Sequence, residues 1–411
     1  MRRVSLALIA AALCAQEPPK EATVSAGGGE LRYLYSAASP GAPLLMVLPG
    51  VTEEPALRQL FAQWQSLAGS HGWSCVMPFV SGVSDPAVKA VELILADAKR
   101  RLPGADETRV YLAGSGAGVA EAFYTISRAP DLWAAALAIQ GSPGAAINSY
   151  RLFGANTQET PLLWIASSAE MDPYRAKLSV AEFNYEARPE AKAGEVLDWL
   201  AGHRRAPFPA SIDCETGNPS LARCYWIEMT KFDPKKRNDV LKSTRVLPGS
   251  GASLAFGPFG YDPAAPGPGA LVGWLPPNYQ GPLKLNDRIV SVDGKDMRDG
   301  RDYAQQMDEI KDDKSVAVMV QRGKERLRLE TKIVLPKREE LVTARVQGRY
   351  LADQKELLII SRALTQMRVR IPAEWTPVSV SWNGLDLVKA EAAGCWVLSI
   401  EKDLPEAARC P

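Results

Sequence analysis

Tyr111-Leu112-Ala113-Gly114-Ser115-Gly116-Ala117-Gly118-Val119-Ala120 is the stretch on which the fold turns. An apolar run from Arg109 to Leu112 predicts a buried strand. A glycine-rich turn follows, and then an alanine-rich helix over Val119 to Ser127. This is the strand-turn-helix order of the Gly-x-Ser-x-Gly elbow, whose sharp turn lifts a serine hydroxyl above the sheet. The frame whose two glycines fit is Gly114-Ser115-Gly116-Ala117-Gly118. It places Gly116 at the serine position, and Ser115 lies one residue early.

On either side of the elbow, apolar strand-like runs alternate with helical patterns, which predicts a mainly parallel sheet wrapped by helices. Upstream are a strand over Leu44–Leu48 ending in Pro49-Gly50, a helix over Pro55–Gly69, a strand over Trp73–Pro78 and a helix over Asp85–Leu102. Downstream are strands over Ala134–Ile139 and Pro161–Ala166 and a closing helix over Lys192–Gly202.

At 411 residues the chain has room for two or three domains. Lys and Arg number 48 against 47 Asp and Glu, a formal charge of +1. That balance offers no electrostatic case for nucleic acid or for an anionic membrane surface. Residues 1–15 pair Arg2 and Arg3 with an apolar run, Val4 to Cys14, in the order of a signal peptide cleaved near Ala15. Leu13 sits where a lipobox wants a small residue, and no other segment has the apolar length of an integral membrane span. The expectation is an exported protein, periplasmic or extracellular. The sequence sets no oligomeric state.

Cys75, Cys214, Cys224, Cys395 and Cys410 would then meet an oxidising compartment. Cys214 with Cys224 and Cys395 with Cys410 are close in sequence and are the expected disulfides, with Cys75 left over and buried. No Cys-x-x-Cys occurs, and neither His71 nor His203 has ligand-spaced neighbours, so no metal and no cofactor is expected.

The strand order, the Pro49-Gly50 loop, the elbow run and a later strand followed by Asp172 resemble the secreted esterase branch of the α/β-hydrolase superfamily, similar to polyhydroxybutyrate depolymerases and feruloyl esterases. The resemblance covers about half the mature chain. It implies that Val51 and Ala117 hold the backbone oxyanion positions, that Asp172 holds the acid position, and that a histidine lies in a loop around residues 185–193. Two of these roles are empty. Gly116 is at the nucleophile position, and residues 185–193 contain no histidine. An atypical triad of Ser115, Asp172 and His203 is the alternative. Against it, Ser115 should point away from the apex, and His203, in Gly202-His203-Arg204-Arg205, reads as a cap on the preceding helix, as His71 does on another. The main expectation is therefore a catalytically inactive hydrolase-like domain over residues 25–240, serving as scaffold or ligand-binding body. Its end reads as a hairpin, Ala210–Thr216 with Leu221–Thr230, crossed by a Cys214–Cys224 bridge. A charged linker, Lys231 to Arg245, follows.

Residues 246–336 resemble a bacterial-type PDZ domain. Ser253-Leu254-Ala255-Phe256 is similar to its carboxylate-binding loop. Gly281-Pro282-Leu283-Lys284-Leu285-Asn286-Asp287-Arg288-Ile289-Val290-Ser291-Val292-Asp293-Gly294 matches its second run, with Asn286 in place of a glycine. The resemblance implies a groove for peptide or protein C-termini, lined by Leu254, Ala255 and Phe256 with Tyr303 and Met307 on a helix. The alternative is a groove blocked by the Pro- and Gly-rich stretch 258–268. Residues 337–411 read as a small all-β module, with a hairpin turn at Asn383-Gly384 and a Cys395–Cys410 bridge pinning its end. Trp375, Trp382 and Trp396 suit core packing better than an aromatic ligand surface.

Overall fold

The computed structural model describes residues 18–102, 104–238, 240–262, 265–336, 342–401 and 404–411. The stretch read as a signal peptide lies outside them. The chain divides into two compact units, residues 1–246 with 341–411, and residues 247–340.

The first unit opens with two antiparallel strands, β1 (Lys20–Ala26) and β2 (Gly29–Ser36), which the sequence reading missed. Then come β3 (Leu44–Leu48), α1 (Glu54–Ser70), β4 (Ser74–Pro78), α2 (Asp85–Arg101), β5 (Val110–Ser115) and α3 (Gly118–Arg128). They are followed by β6 (Ala135–Ile139), α4 (Gly144–Asn148), β7 (Leu162–Ile165), α5 (Ser168–Val180), β8 (Tyr185–Arg188) and α6 (Ala193–Ala201). The strands form one sheet in the order β1-β2-β4-β3-β5-β6-β7-β8, and every pair from β4 to β8 is parallel. This is the α/β-hydrolase topology. Its cause is visible in the strand sequences. Residues of β3 are fully buried and alternate between two helix layers: Leu44, Met46 and Leu48 in one core, Leu45 and Val47 in the other. A strand covered on both faces has no room for a polar alternate, which is why these segments read as continuous apolar runs.

After α6 the chain adds β9 (Ser211–Thr216), β10 (Arg223–Cys224) and β11 (Ile227–Phe232). β9 and β11 are not a hairpin, contrary to expectation. The second unit intervenes, with β12 (Ser253–Leu254), β13 (Gly260–Asp262), β14 (Ala270–Trp274), β15 (Arg288–Val292), β16 (Lys295–Asp296), α7 (Gly300–Asp308), β17 (Lys314–Arg322) and β18 (Glu325–Val334). The chain then returns to the first unit as β19 (Ala344–Leu351), β20 (Glu356–Arg362), β21 (Leu364–Ile371), β22 (Val378–Trp382), β23 (Leu385–Ala390), β24 (Gly394–Glu401) and β25 (Leu404–Arg409).

These returning strands recruit the earlier ones into two five-stranded sheets, β23-β22-β20-β19-β9 and β10-β11-β21-β24-β25. The Cys214–Cys224 disulfide therefore joins two facing sheets rather than crossing a hairpin, and Cys395–Cys410 pairs β24 with the chain end. Trp226 fixes how closely the sheets approach. A Cβ on Gly348 would lie 2.3 Å from its ring, so β19 needs glycine there.

The two segments on either side of the second unit are gripped by one buried carboxylate. Glu215 accepts hydrogen bonds from Ser243 Oγ (2.5 Å), Thr244 N (2.7 Å) and Thr244 Oγ1 (2.8 Å) on the outgoing side and from Thr343 Oγ1 on the returning side. Arg362 adds bonds to Leu241 O and Thr343 O.

In the second unit the sheet runs β12-β18-β17-β15-β14-β13, leaving β12 and β13 at its two edges. Asn286, which replaces the glycine of the expected pattern, has φ 68°. Asparagine is among the few residues that tolerate this region, so the substitution keeps the turn. Asp287 follows it, 1% exposed, accepting Lys284 N and both Arg322 Nε and an Arg322 terminal nitrogen.

Candidate active site

The elbow has the geometry that its glycines demand. Gly116 stands at the apex with φ 57°, between the last residue of β5 and the start of α3. A Cβ built there meets no heavy atom within 4 Å, so the apex is open and lined by no side chain of its own. Its two flanking glycines are closed in. A Cβ on Gly114 would sit 2.1 Å from Gly118 O, and one on Gly118 would sit 2.4 Å from Leu48 O. Both neighbours are backbone and cannot swing aside. The frame read from the sequence is thus the frame of the turn, and it brings Gly116, not Ser115, to the apex.

Ser115 ends β5 opposite Ile139 of β6 and is half-buried. Its hydroxyl has no hydrogen-bond partner among the described residues. His203 is elsewhere. Its ring packs on Trp199 with centroids 4.3 Å apart, and Nδ1 lies 2.9 Å from Trp199 O. The His203 carbonyl accepts the Tyr111 hydroxyl at 2.9 Å, and Arg205 N bonds Thr108 O. Those contacts tie His203 to the start of β5, whereas Ser115 is at its end, roughly 13 Å further at the usual rise per residue. Asp172 lies on α5, 66% exposed, paired with Arg175 at 3.2 Å. Ser115, Asp172 and His203 are not brought together as a triad. Helix capping explains both histidines, since His71 Nδ1 lies 3.2 Å from Leu67 O at the end of α1.

Val51 follows Gly50, whose φ of 61° lets the β3–α1 loop press against the elbow. A Cβ on Gly50 would sit 2.1 Å from Gly118 N. Ala117 is exposed at the mouth of the turn, directly before α3.

Two buried polar clusters beside the elbow were not found from sequence. Glu121, 6% exposed on the first turn of α3, accepts Gly50 N (3.2 Å), Gly82 N (2.5 Å) and Ser81 Oγ. It staples the loops after β3 and β4 to the elbow helix, and a carboxylate is favoured at that helix end. One and two turns further along α3, Tyr124 and Arg128 reach Asp85, 5% exposed. Arg151 and Asn218 complete that cluster at 3.1 and 2.7 Å. Burial pushes the Asp85 carboxyl up, but the Arg128 guanidinium and the hydrogen bonds from Tyr124 and Asn218 outweigh it and hold it below its ordinary value. The local signal for this stripe was the i, i+3, i+7 spacing of Glu121, Tyr124 and Arg128 along α3. Its partners are remote in sequence. No three His, Cys, Asp or Glu side chains converge among the described residues in a way that would hold a metal, and no helix there is long and apolar enough to cross a membrane.

In the second unit the residues expected to line a peptide groove divide. Leu254, Phe256, Tyr303 and Met307 are all core residues, 2–7% exposed. Ser253 and Leu254 pair with β18, and Ala255 N bonds Lys332 O. That stretch is a short edge strand, paired on one side with β18, and the side chains of Leu254 and Phe256 are spent on the core. The other edge of the sheet is β13, entered through Gly257-Pro258-Phe259. Tyr261 meets Tyr303 of α7 edge-on at 4.9 Å, and Phe259 lies 6.5 Å from it. The alternation of aromatic and glycine in Phe259-Gly260-Tyr261 was the legible signal.

The tryptophans of the sandwich are packing residues. Trp375 and Trp382 are 5% and 0% exposed, and Trp396 is covered by Arg409 at 4.3 Å.

No protein-family model and no curated protein matches the chain. Among solved structures it is similar to a thermostable esterase, at 14% identity and a TM-score of 0.34, over 46% of this chain and 64% of that one. It is similar also to Est1E from Butyrivibrio proteoclasticus, at 12% identity and a TM-score of 0.33, over 44% of this chain and 99% of that one. A third is the S-formylglutathione hydrolase of Staphylococcus aureus, at 12% identity and a TM-score of 0.31, over 44% and 95%. The chain spans less than two thirds of the length of the first of these. The fold assignment rests on the strand order itself.

Proposed function

We propose that this is an exported, non-hydrolytic protein in which an α/β-hydrolase-type body serves as a scaffold or ligand-binding element and the second unit is a PDZ-like peptide-binding module. The observation that carries the first part is the apex glycine. Acyl transfer needs a nucleophile with a base in hydrogen-bond reach, and Gly116 offers no side chain while the histidine considered as base, His203, belongs to the far end of β5. The turn keeps the close glycine contacts that a strand-to-helix reversal requires, so it is retained as architecture. Wild-type protein should leave 4-nitrophenyl butyrate at the buffer rate, and turnover abolished by Ser115→Ala overturns the reading.

A second reading has one observation in its favour. The Ser115 hydroxyl is half-exposed, unpaired and one residue from the apex. Under that reading the protein is an esterase or peptidase with an atypical site, and Ser115→Ala is again the deciding variant.

For the second unit, the supporting feature is an unpaired strand edge, β13, beside α7, with Phe259 and Tyr261 facing Tyr303. A peptide adding to that edge would present its terminal carboxylate to the backbone before Tyr261. Matched free-acid and C-terminally amidated peptides, compared by fluorescence polarisation, test this. Preference for the free acid is expected, and equal binding refutes carboxylate recognition.

A further inference from the structure

The β13 edge of the second unit has two faces, and they are built differently. Toward α7 stand Phe259 and Tyr261, against Tyr303. On the other face the strand is bare. Gly260 has no side chain, and its cross-strand neighbour on β14 is Trp274. The pairing shifts register at this point. Tyr261 faces Val272 while Gly260 faces Trp274, which leaves Gly273 as an extra residue on β14. Such a bulge reverses the alternation of side chains along its strand. Ala270 and Val272 enter the core, and Trp274 is turned out to the opposite face, 53% exposed. Among the described residues it is the one tryptophan left exposed.

The indole lies beside the glycine. A Cβ on Gly260 would sit 3.2 Å from Trp274 Cβ, 3.7 Å from Cε3 and 3.9 Å from Cγ, so a side chain there would crowd the ring or cover it. Gly260 is not among the residues with positive φ, so its backbone does not call for glycine. What glycine supplies at this position is space, and the space keeps the indole open to the sheet edge.

We propose that Trp274 is a specificity-determining residue of the second unit, selecting an apolar side chain at the penultimate position of a peptide that adds to β13. This rests on the peptide-binding reading given above. A strand added to β13 alternates as β13 does, and residues paired across strands share a face. With the terminal side chain on the α7 face, beside Tyr261, the penultimate one turns outward to the face of Gly260. The added strand runs about 4.8 Å from β13, and with no side chain on Gly260 between them the penultimate residue meets the indole. A phenyl or branched aliphatic group there removes apolar surface from water on both sides of the contact, whereas a serine covers little of the ring and gives its hydroxyl no partner on the ring face.

The test is fluorescence polarisation of the full-length protein with labelled free-acid peptides, in sets that end in Val, Ala or Phe and differ within a set only in Phe, Leu or Ser at the penultimate position. Phe and Leu are expected to bind about five- to tenfold tighter than Ser, the worth of covering roughly one face of such a side chain. Trp274→Ala should erase that preference and leave the affinity of the Ser peptides unchanged, and because the side chain is exposed the variant keeps the core. Gly260→Val, which covers the ring from its own strand, should also remove the preference, while Trp274→Phe should retain most of it. Equal binding of the Phe, Leu and Ser peptides to wild type, or a preference that survives Trp274→Ala, overturns the role of Trp274 and leaves the peptide-binding reading standing. Binding of no peptide in any set overturns both.

Discussion

Replacing the three elbow glycines one at a time should separate the apex from its supports. In Gly118→Ala the new methyl would sit 2.4 Å from Leu48 O and 3.3 Å from Leu48 C. Both are main chain at the end of a central strand, so β3 or α3 must move, at a cost of about 3 kcal/mol. The lower entropy of the unfolded alanine chain returns only about 0.4–1 kcal/mol of that. Gly114→Ala meets Gly118 O at 2.1 Å and belongs to the same class. In Gly116→Ser nothing lies within 4 Å, and only the left-handed backbone at φ 57° opposes the side chain, about 1–2 kcal/mol. Native-state hydrogen exchange of the β3 and β5 amides is the suitable assay, because it reports opening of this sheet without treating a multidomain chain as two-state. Comparable losses for Gly116→Ser and Gly118→Ala would refute the placement of Gly116 at an open apex. A neutral Gly118→Ala would refute the close approach of β3.

Three further outcomes follow from named contacts. Glu215→Ala strands the Thr244 amide and the Thr244 and Thr343 hydroxyls in a buried site, so the sandwich should lose about 3 kcal/mol or more, and limited proteolysis should open near Leu241–Arg245 faster than elsewhere. Replacing Cys214 and Cys224 by alanine removes a loop closure of sequence separation 10 between the two sheets, about 2–3 kcal/mol in the chain-entropy account, read as a lower melting temperature and a smaller shift with reductant, which then acts on Cys395–Cys410 alone. Asp302 is held at about 2 by hydrogen bonds from the Arg298 side chain and backbone. Since its folded value is depressed, its stabilising contribution is complete above the unfolded value and fades as pH falls towards 2. A carboxyl NMR titration should place its midpoint near 2, rising towards 3.8 in Arg298→Ala; a wild-type midpoint near 4 contradicts the pairing.

What was legible in the sequence was whatever is local. Leu44–Leu48 and Ala135–Ile139 announce themselves because strands covered on both faces are apolar throughout, and Asp85 with Ser84 marks the start of α2 because the Ser84 hydroxyl caps it. The elbow frame could be read because the steric demand falls on two glycines four residues apart. Pairing across a long separation could not. β9 joins β19 only after the chain has built the whole second unit, and from the sequence its nearest partner was the adjacent β11. Glu121 was missed for the same reason: its donors come from loops some forty to seventy residues upstream. For the second unit the apolar spacing of Leu254 and Phe256 was legible, and both side chains enter the core, while the position of β12 and β13 at the two sheet edges depends on pairing that spacing does not show.

The most direct test of the central claim is the intact mass of wild-type protein after exposure to an excess of a fluorophosphonate probe. No adduct is predicted, because the apex of the elbow is a glycine and no imidazole faces it. A stoichiometric adduct that maps to Ser115 and disappears in Ser115→Ala would contradict the claim and make the protein a working serine hydrolase.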